Sequence, residues 1–467
     1  MEFDPVFIAR LQFAFTITFH IIFPAFTIGL SAYIATLLVM WRVTGRERYQ
    51  RLARFWTRIF AVSFAMGVVS GIVLSYEFGT NWSRFSVFAG NVVGPLIGYE
   101  VLTAFFLEAT FLGVMLFGWG RVPPWLQVFS AVAVAVGTAI SAFWILAANS
   151  WMQTPTGHEI RDGIAYPLDW WAIIFNPSFP YRLAHMLNAS YLTAGFVVLA
   201  VGARYLLAGL HQEQARTMAR MALCLLAVLA PLQLLIGDLH GLNTLKHQPV
   251  KVAAMEAHWD TAGPGDFHIF AWPDEHAEVN RYAVSIPQGA SLILTHKLHG
   301  HFPGLKDVAA QDRPPVKTVF FAFRTMLAIG FFMIAAALVG AWLLWWGALF
   351  EARWYLRIVA HSWWIGFVAV WAGWLVTESG RQPWVVQDLK RTADSVSPVS
   401  ATSVTTSLAM FVAVYGIVFA AGIYYINRLI AKGPQGRAVE PTERGTPSRP
   451  LASAHDAGRE ALAPGRG

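Results

Sequence analysis

Apolar stretches long enough to cross a bilayer recur along this chain, and they leave it few folds to choose from. About 20 residues of helix span the hydrocarbon layer. Nine runs reach that length, at roughly 12–41, 59–78, 94–118, 125–147, 183–208, 218–239, 318–348, 355–377 and 402–428. In lipid each spanning segment must satisfy its own backbone, so such runs predict helices and not an open sheet. At 467 residues, 56% hydrophobic and 13% charged, the chain lies far from the balance of a soluble domain. The expected fold is all-α: a polytopic membrane protein with about nine transmembrane helices. No basic segment with a small-residue cleavage site precedes the first run, so that span is expected to be retained. The single cysteine, Cys224, lies inside an apolar run, which leaves neither a disulfide framework nor a cysteine metal site.

Basic residues orient the helices. Arg42, Arg46, Arg48, Arg51, Arg54 and Arg58 follow the first run, and Arg121 follows the third. Arg204, Arg216 and Arg220 flank the fifth and sixth, Arg353 and Arg357 lie between the seventh and eighth, and Arg428 and Lys432 follow the ninth. These are alternate connections, and the positive-inside rule places them all in the cytoplasm. The N-terminus is then outside and the C-terminus cytoplasmic. The net charge of +7 reflects this topology, with no nucleic-acid partner implied. Residues 1–432 form one helical membrane domain that includes a long outer loop, 241–317, too long for a simple connection and therefore expected to be functional. The segment 433–467 is rich in Gly, Pro, Ala, Ser and Arg and is expected to be a disordered cytoplasmic tail.

Ionisable and metal-ligating residues converge on one side of these spans. His20 lies in the first, Glu100 and Glu108 in the outer half of the third, and His185 at the outer end of the fifth. Arg324 and Met326 begin the seventh, and Glu378 closes the eighth, just before Arg381. Glu100 and Glu108 are two turns apart, roughly on one helical face. Such groups are costly in hydrocarbon unless they pair or bind something. Imidazole and thioether are axial ligands of haem iron, and a His/Met pair such as His185 and Met326 suits a six-coordinate electron-transfer haem. His20 and Glu378 suit single ligation with an open site, while Arg324 and Arg381 suit propionates. No Cys-x-x-Cys-His sequence offers covalent attachment. His296, His299 and His301 lie close in sequence, but no carboxylate or cysteine completes a metal set there. Taken singly, each His or Met also reads as helix packing. Buried carboxylates equally suit a proton- or ion-coupled transporter, and the His/Met pair alone suits a cytochrome b that never meets oxygen.

Several separate motifs carry a family resemblance. Arg10-Leu-Gln-Phe13 followed by His20, Arg182-Leu-Ala-His185, Arg324-Thr-Met326, and Glu378 before Gly380-Arg-Gln-Pro-Trp384 resemble subunit I of the cytochrome bd-type quinol oxidases. Gln248-Pro-Val-Lys251 through Glu256 resembles the family's quinol-loop segment. The resemblance covers most of residues 1–430 and implies a terminal respiratory oxidase of the bacterial inner membrane. Such an enzyme oxidises membrane quinol near the outer face and reduces O2 to water with cytoplasmic protons, generating proton-motive force without pumping. It implies a low-spin haem b on His185 and Met326. Two high-spin haems, a haem b and a haem d or both haem b, would be held by His20 and Glu378. Lys251 and Glu256 are implied at the quinol site, and Glu100 and Glu108 in proton delivery and charge compensation, with Ser141 nearby. A homologous subunit II and a small single-span subunit are the implied partners. The short loop resembles the branch that includes cyanide-insensitive oxidases.

Overall fold

The structure, a computed structural model, describes residues 4–434. Helix α1 (Pro5–Thr44) starts where the Asp4 carboxylate accepts the Val6 amide, and it ends at Gly45 with φ 67°. A left-handed residue at a helix end is a position that glycine takes without strain. Then follow α2 (Glu47–Thr80), α3 (Ser83–Glu100), a π-helical turn (Val101–Phe105), α4 (Phe106–Phe117) and α5 (Pro124–Gln153). Beyond them come a hairpin of β1 (His158–Arg161) and β2 (Ile164–Pro167), the short α6 (Trp170–Ile174), α7 (Phe179–Ala208) and α8 (Gln212–His247). Among the described residues eight helices are long and apolar enough to cross a membrane, and a bent pair, taken as one span, makes nine. That pair joins α12 (Arg353–Ala360) to α13 (Ile365–Ser379) at an angle of 43°. The remaining spans are α11 (Val316–Trp345) and α14 (Ala401–Lys432).

Small residues set the helix packing, as expected where lipid offers no hydrophobic drive for association. Gly29 of α1 lies against Ser190 and Ala194 of α7, Gly195 of α7 against Leu226 of α8, and Gly366 of α13 against Thr193. The largest buried core joins α1, α2, α7, α8, α11 and α12.

The helices outrun the apolar runs that predict them. The second span begins at Glu47 and the third at Ser83, and the latter is not a plain α-helix but carries the π turn between Glu100 and Glu108. With the earlier start, Glu100 falls at mid-helix and Glu108 beyond it, toward the Phe117 end, not in the outer half.

The connection after α8 is ordered. Helix α9 (Pro249–Glu256) leads to a hairpin of β3 (Phe267–Asp274) and β4 (Val279–Ile286), then α10 (Gly289–Thr295). Val252, Met255, Trp259 and Leu305 of this loop share a core with Val319 and Phe320 of α11 and Val376 of α13. A further small hairpin, β5 (Trp384–Val386) with β6 (Lys390–Arg391), follows α13. Sequence periodicity did not predict these strands. Of the expected tail, only residues 433 and 434 are described; the rest lies outside the described residues.

Candidate functional site

The polar residues gather at the membrane face that carries the α9–β4 loop. There the end of α13 meets the ends of α5 and α7 and the whole of α9. Glu378 and Arg381, three residues apart around the end of α13, form an ion pair. The Glu378 carboxylate also accepts from Asn149 Nδ2 at 3.1 Å and Gln153 Nε2 at 3.2 Å, both on α5. Arg182 at the start of α7 donates to Asn149 Oδ1 and lies over the Trp374 ring at 5.8 Å. From α9, Lys251 Nζ donates to Gln153 Oε1 at 2.6 Å and to Gln248 Oε1 at 2.8 Å. Gln248 Nε2 in turn donates to Gln153 and Gln387 at 3.0 Å each. One amide, Gln153, therefore stands between Lys251 and Glu378. Burial, reinforced by Arg182 and Arg381 and opposed by Glu378, holds the Lys251 ammonium well below its usual pKa.

Gly380 shows why this junction needs a residue without a side chain. A Cβ there would come within 2.8 Å of Lys251 Cγ. Gly380→Ala is expected to destabilise the protein by about 1–3 kcal/mol through overpacking. Thermal unfolding of the purified protein checks this, and an unchanged midpoint would contradict it.

Glu256 and Arg324 form a second pair. Arg324 Nη2 meets Glu256 Oε2 at 2.7 Å, with both side chains nearly buried, and its Nε donates to the His268 carbonyl at 2.5 Å. Three aromatic rings, Phe267, Phe320 and Phe323, surround the guanidinium within 5.3 Å. Arg324 is thus committed to the loop, whereas its Nη1 is buried without a partner.

His20, His185 and Met326 come from different helices, and each faces a glycine. An added Cβ on Gly71 would lie 3.1 Å from His20 Cε1, on Gly237 3.7 Å from His185 Cε1, and on Gly373 3.2 Å from Met326 Sδ. His20 Nδ1 is paired with Ser70 Oγ at 3.0 Å, so Nε2 is the nitrogen left for a ligand. His185 Nδ1 is buried with no partner, as are Nε and Nη1 of Arg381 and Nε of Arg182. Buried polar atoms are normally satisfied, and orphaned nitrogens on a histidine and two arginines fit a bulky anionic group such as an iron porphyrin. The chain thus carries imidazole, thioether and carboxylate groups on different helices, residue types that could hold haem.

Glu100 and Glu108 both face α5, so the expected common face holds across the π turn. Glu100 Oε1 accepts from Ser141 Oγ at 2.7 Å. Glu108 is buried against Gly137, where an added Cβ would lie 2.8 Å from its Cγ. Gly137 and Ser141 are one turn apart, so the carboxylates form a track along α5.

Several residues of this region escaped the sequence reading: Glu77, Asn149, Gln153, Arg182 as a site residue, and His240, whose ring lies 5.3 Å from that of His185. Each falls within a few residues of the end of an apolar run. Hydropathy marks the hydrocarbon layer, while the helices continue past it and carry the polar site on their ends. His296, His299 and His301 gain no ligand set: among the described residues no group of three or more His, Cys, Asp or Glu is placed to hold a metal ion.

A family model for cytochrome bd terminal oxidase subunit I matches residues 8–434. The chain is 37% identical over 440 residues to cytochrome bd ubiquinol oxidase subunit 1 of Bacillus subtilis (strain 168), covering 92% of this chain and 94% of that one. It is 31% identical over 512 residues to cytochrome bd-II ubiquinol oxidase subunit 1 of Escherichia coli (strain K12), covering 94% and 99%. Among solved structures, a chain of the bd oxidase from Geobacillus thermodenitrificans is similar with a TM-score of 0.85 and 29% identity, over 93% of this chain and 100% of that chain.

Proposed function

The chain belongs to the cytochrome bd terminal oxidase subunit I family, whose curated relatives are ubiquinol oxidases, and from that premise we propose a specific division of labour among its residues. The observation that carries it is the continuous polar contact from Lys251 through Gln153 to Glu378, which joins the quinol-loop segment to a candidate haem ligand. Haem, when bound, supplies the one-electron carrier and the centre at which O2 is reduced to water. His185 and Met326 hold a low-spin haem b. His20 and Glu378 hold two high-spin haems, one b and one d or both b, with Arg381 and Arg182 offsetting acidic charge.

Membrane quinol docks at the loop face between α9 and α11. Glu256, fixed by Arg324, takes a proton from the quinol hydroxyl, which makes electron loss from the ring easier. Lys251 has two N–H bonds engaged by Gln153 and Gln248. Its remaining N–H is left to hold a quinol oxygen. Quinol protons leave at the loop face, which is the outer one, with the N-terminus outside. Protons for water arrive from the opposite, arginine-rich cytoplasmic face, with Glu108 and then Glu100 and Ser141 as the last stations. The two proton movements separate charge across the bacterial cytoplasmic membrane without a pump. Residues 1–432 act as one unit with the 241–317 loop as the quinol site, beside a homologous subunit II and a small single-span subunit.

The test is a dithionite-reduced minus oxidised spectrum of the purified complex, followed by CO. Low-spin b bands with a CO-sensitive high-spin signal are expected; a far-red band would place haem d, and its absence two b-type haems. Folded protein without haem would return the transporter reading. Glu256→Gln is expected to slow quinol oxidation about 100-fold, in the range of general acid–base effects, while O2 reduction from an artificial donor is spared. Equal slowing of both would remove Glu256 from the quinol site.

A further inference from the structure

Glu77, near the end of α2, is a carboxyl group that the mechanism above does not use. It is 1% exposed and forms no ion pair among the described residues. Its Oε1 lies 2.5 Å from Thr16 Oγ1, and its Oε2 is buried with no partner. Thr16 is one turn before His20 on α1, and Glu77 is two turns after Ser70, which holds His20 Nδ1. Gln12, Thr16 and Glu77 thus lie along the α1–α2 seam on the loop side of His20. Ser407 of α14 donates to Gln12 Oε1 at 3.1 Å and is itself part-exposed.

Hydrogen-bond accounting bears on the protonation state. A threonine hydroxyl has one hydrogen. That of Thr16 lies 3.1 Å from the Gln12 carbonyl, the usual back-bond of a helical threonine. If it is donated there, the shorter contact to Glu77 needs its hydrogen from the carboxyl. A charged carboxylate would also leave Oε2 buried and bare, without a cation, at a far larger desolvation cost than a neutral acid. Glu77 bonds Thr16 of α1, Tyr415 of α14 lies near with its hydroxyl 3.5 Å from the Ser70 carbonyl, and Asn81 caps the same helix one turn on; none of these is a cation.

We propose that Glu77 is a neutral, proton-holding group for the His20 site that exchanges its proton with the loop face past Thr16, Gln12 and Ser407. Oxidation at the site adds positive charge and converts the carboxyl to a carboxylate plus a proton, which leaves along this track; reduction draws the proton back. The inference rests on His20 holding a haem and names a carboxyl distinct from Glu100 and Glu108.

The test is redox-difference infrared spectroscopy of the intact complex in H2O and D2O. Wild type is expected to show a protonated-carboxyl C=O band that shifts in D2O and is lost in Glu77→Gln, with the haem spectrum unchanged. Thr16→Val keeps the carboxyl and removes its acceptor, so the band should persist at higher frequency. It also guards against a folding defect in the first variant. Bands unchanged in both variants would overturn the proposal. His20→Ala separates the two readings: loss of a high-spin haem there with an unaltered Glu77→Gln band removes only the Glu77 proposal, whereas an intact haem spectrum in His20→Ala removes the ligand assignment beneath it.

Discussion

Replacing Met326 with leucine is expected to abolish the low-spin haem b spectrum while leaving the chain folded in the membrane. Leucine occupies nearly the volume of methionine and tolerates its apolar setting, so packing against Gly373 is disturbed by less than about 1.5 kcal/mol. What is lost is the thioether. A haem held by Met326 would lose a ligand, and its low-spin bands are expected to give way to a high-spin spectrum or to loss of the haem. The readout is the reduced-minus-oxidised spectrum together with haem content per polypeptide. Quinol-driven turnover is expected to fall with it. A low-spin spectrum identical to wild type would refute the assignment of Met326.

The second large effect is expected at Arg381, which is 4% exposed and paired with Glu378. Arg381→Met keeps the length of the side chain and removes its charge. Glu378 then retains only the neutral amides of Asn149 and Gln153 as direct partners, with Arg182 reaching it through Asn149. Breaking a buried pair from one side costs about 3–5 kcal/mol, because the remaining charge is left desolvated. Thermal unfolding of the purified complex should drop accordingly, and the CO-reactive signal should weaken as Glu378 leaves its position. The double variant Arg381→Met/Glu378→Gln should recover much of the stability and none of the haem. If the single variant unfolds like wild type, the pair does not hold this junction together.

The fold was legible because hydrocarbon selects strongly for composition: the apolar runs lie in helices, the third broken by a π turn and the eighth as a bent pair. The helix ends were not legible. Glu77, Asn149, Gln153, Arg182 and His240 sit where side chains leave the hydrocarbon, and there an isolated polar residue looks like ordinary interface. Their roles depend on which other helix end they meet, information that no single stretch of sequence holds. The π turn at Val101–Phe105 was invisible for a related reason, since it changes hydrogen bonding without changing composition. The candidate ligands His20, His185, Met326 and Glu378 were named from chemical type together with the family resemblance. Their glycine counterparts, Gly71, Gly237 and Gly373, carry no signal until the helices are packed. The loop hairpin β3–β4 was missed because its strands lie among Pro, Gly and charged residues, with no clean alternation of burial.

The amide of Gln153 has a polarity that neither neighbour can change alone. Its oxygen faces Lys251 and Gln248, and its nitrogen faces Glu378. Turning it over would set nitrogen against the lysine and oxygen against the carboxylate, so the dipole is locked from both sides. A head group that withdraws Lys251 from that oxygen therefore loosens the amide's hold on Glu378, and a rearranged Glu378 changes what Lys251 can offer. By linkage the effect is reciprocal. A ligand that takes up Lys251 should therefore bind with an affinity that changes in Glu378→Gln, and the size of that difference measures how tightly a single side-chain dipole couples the two sides.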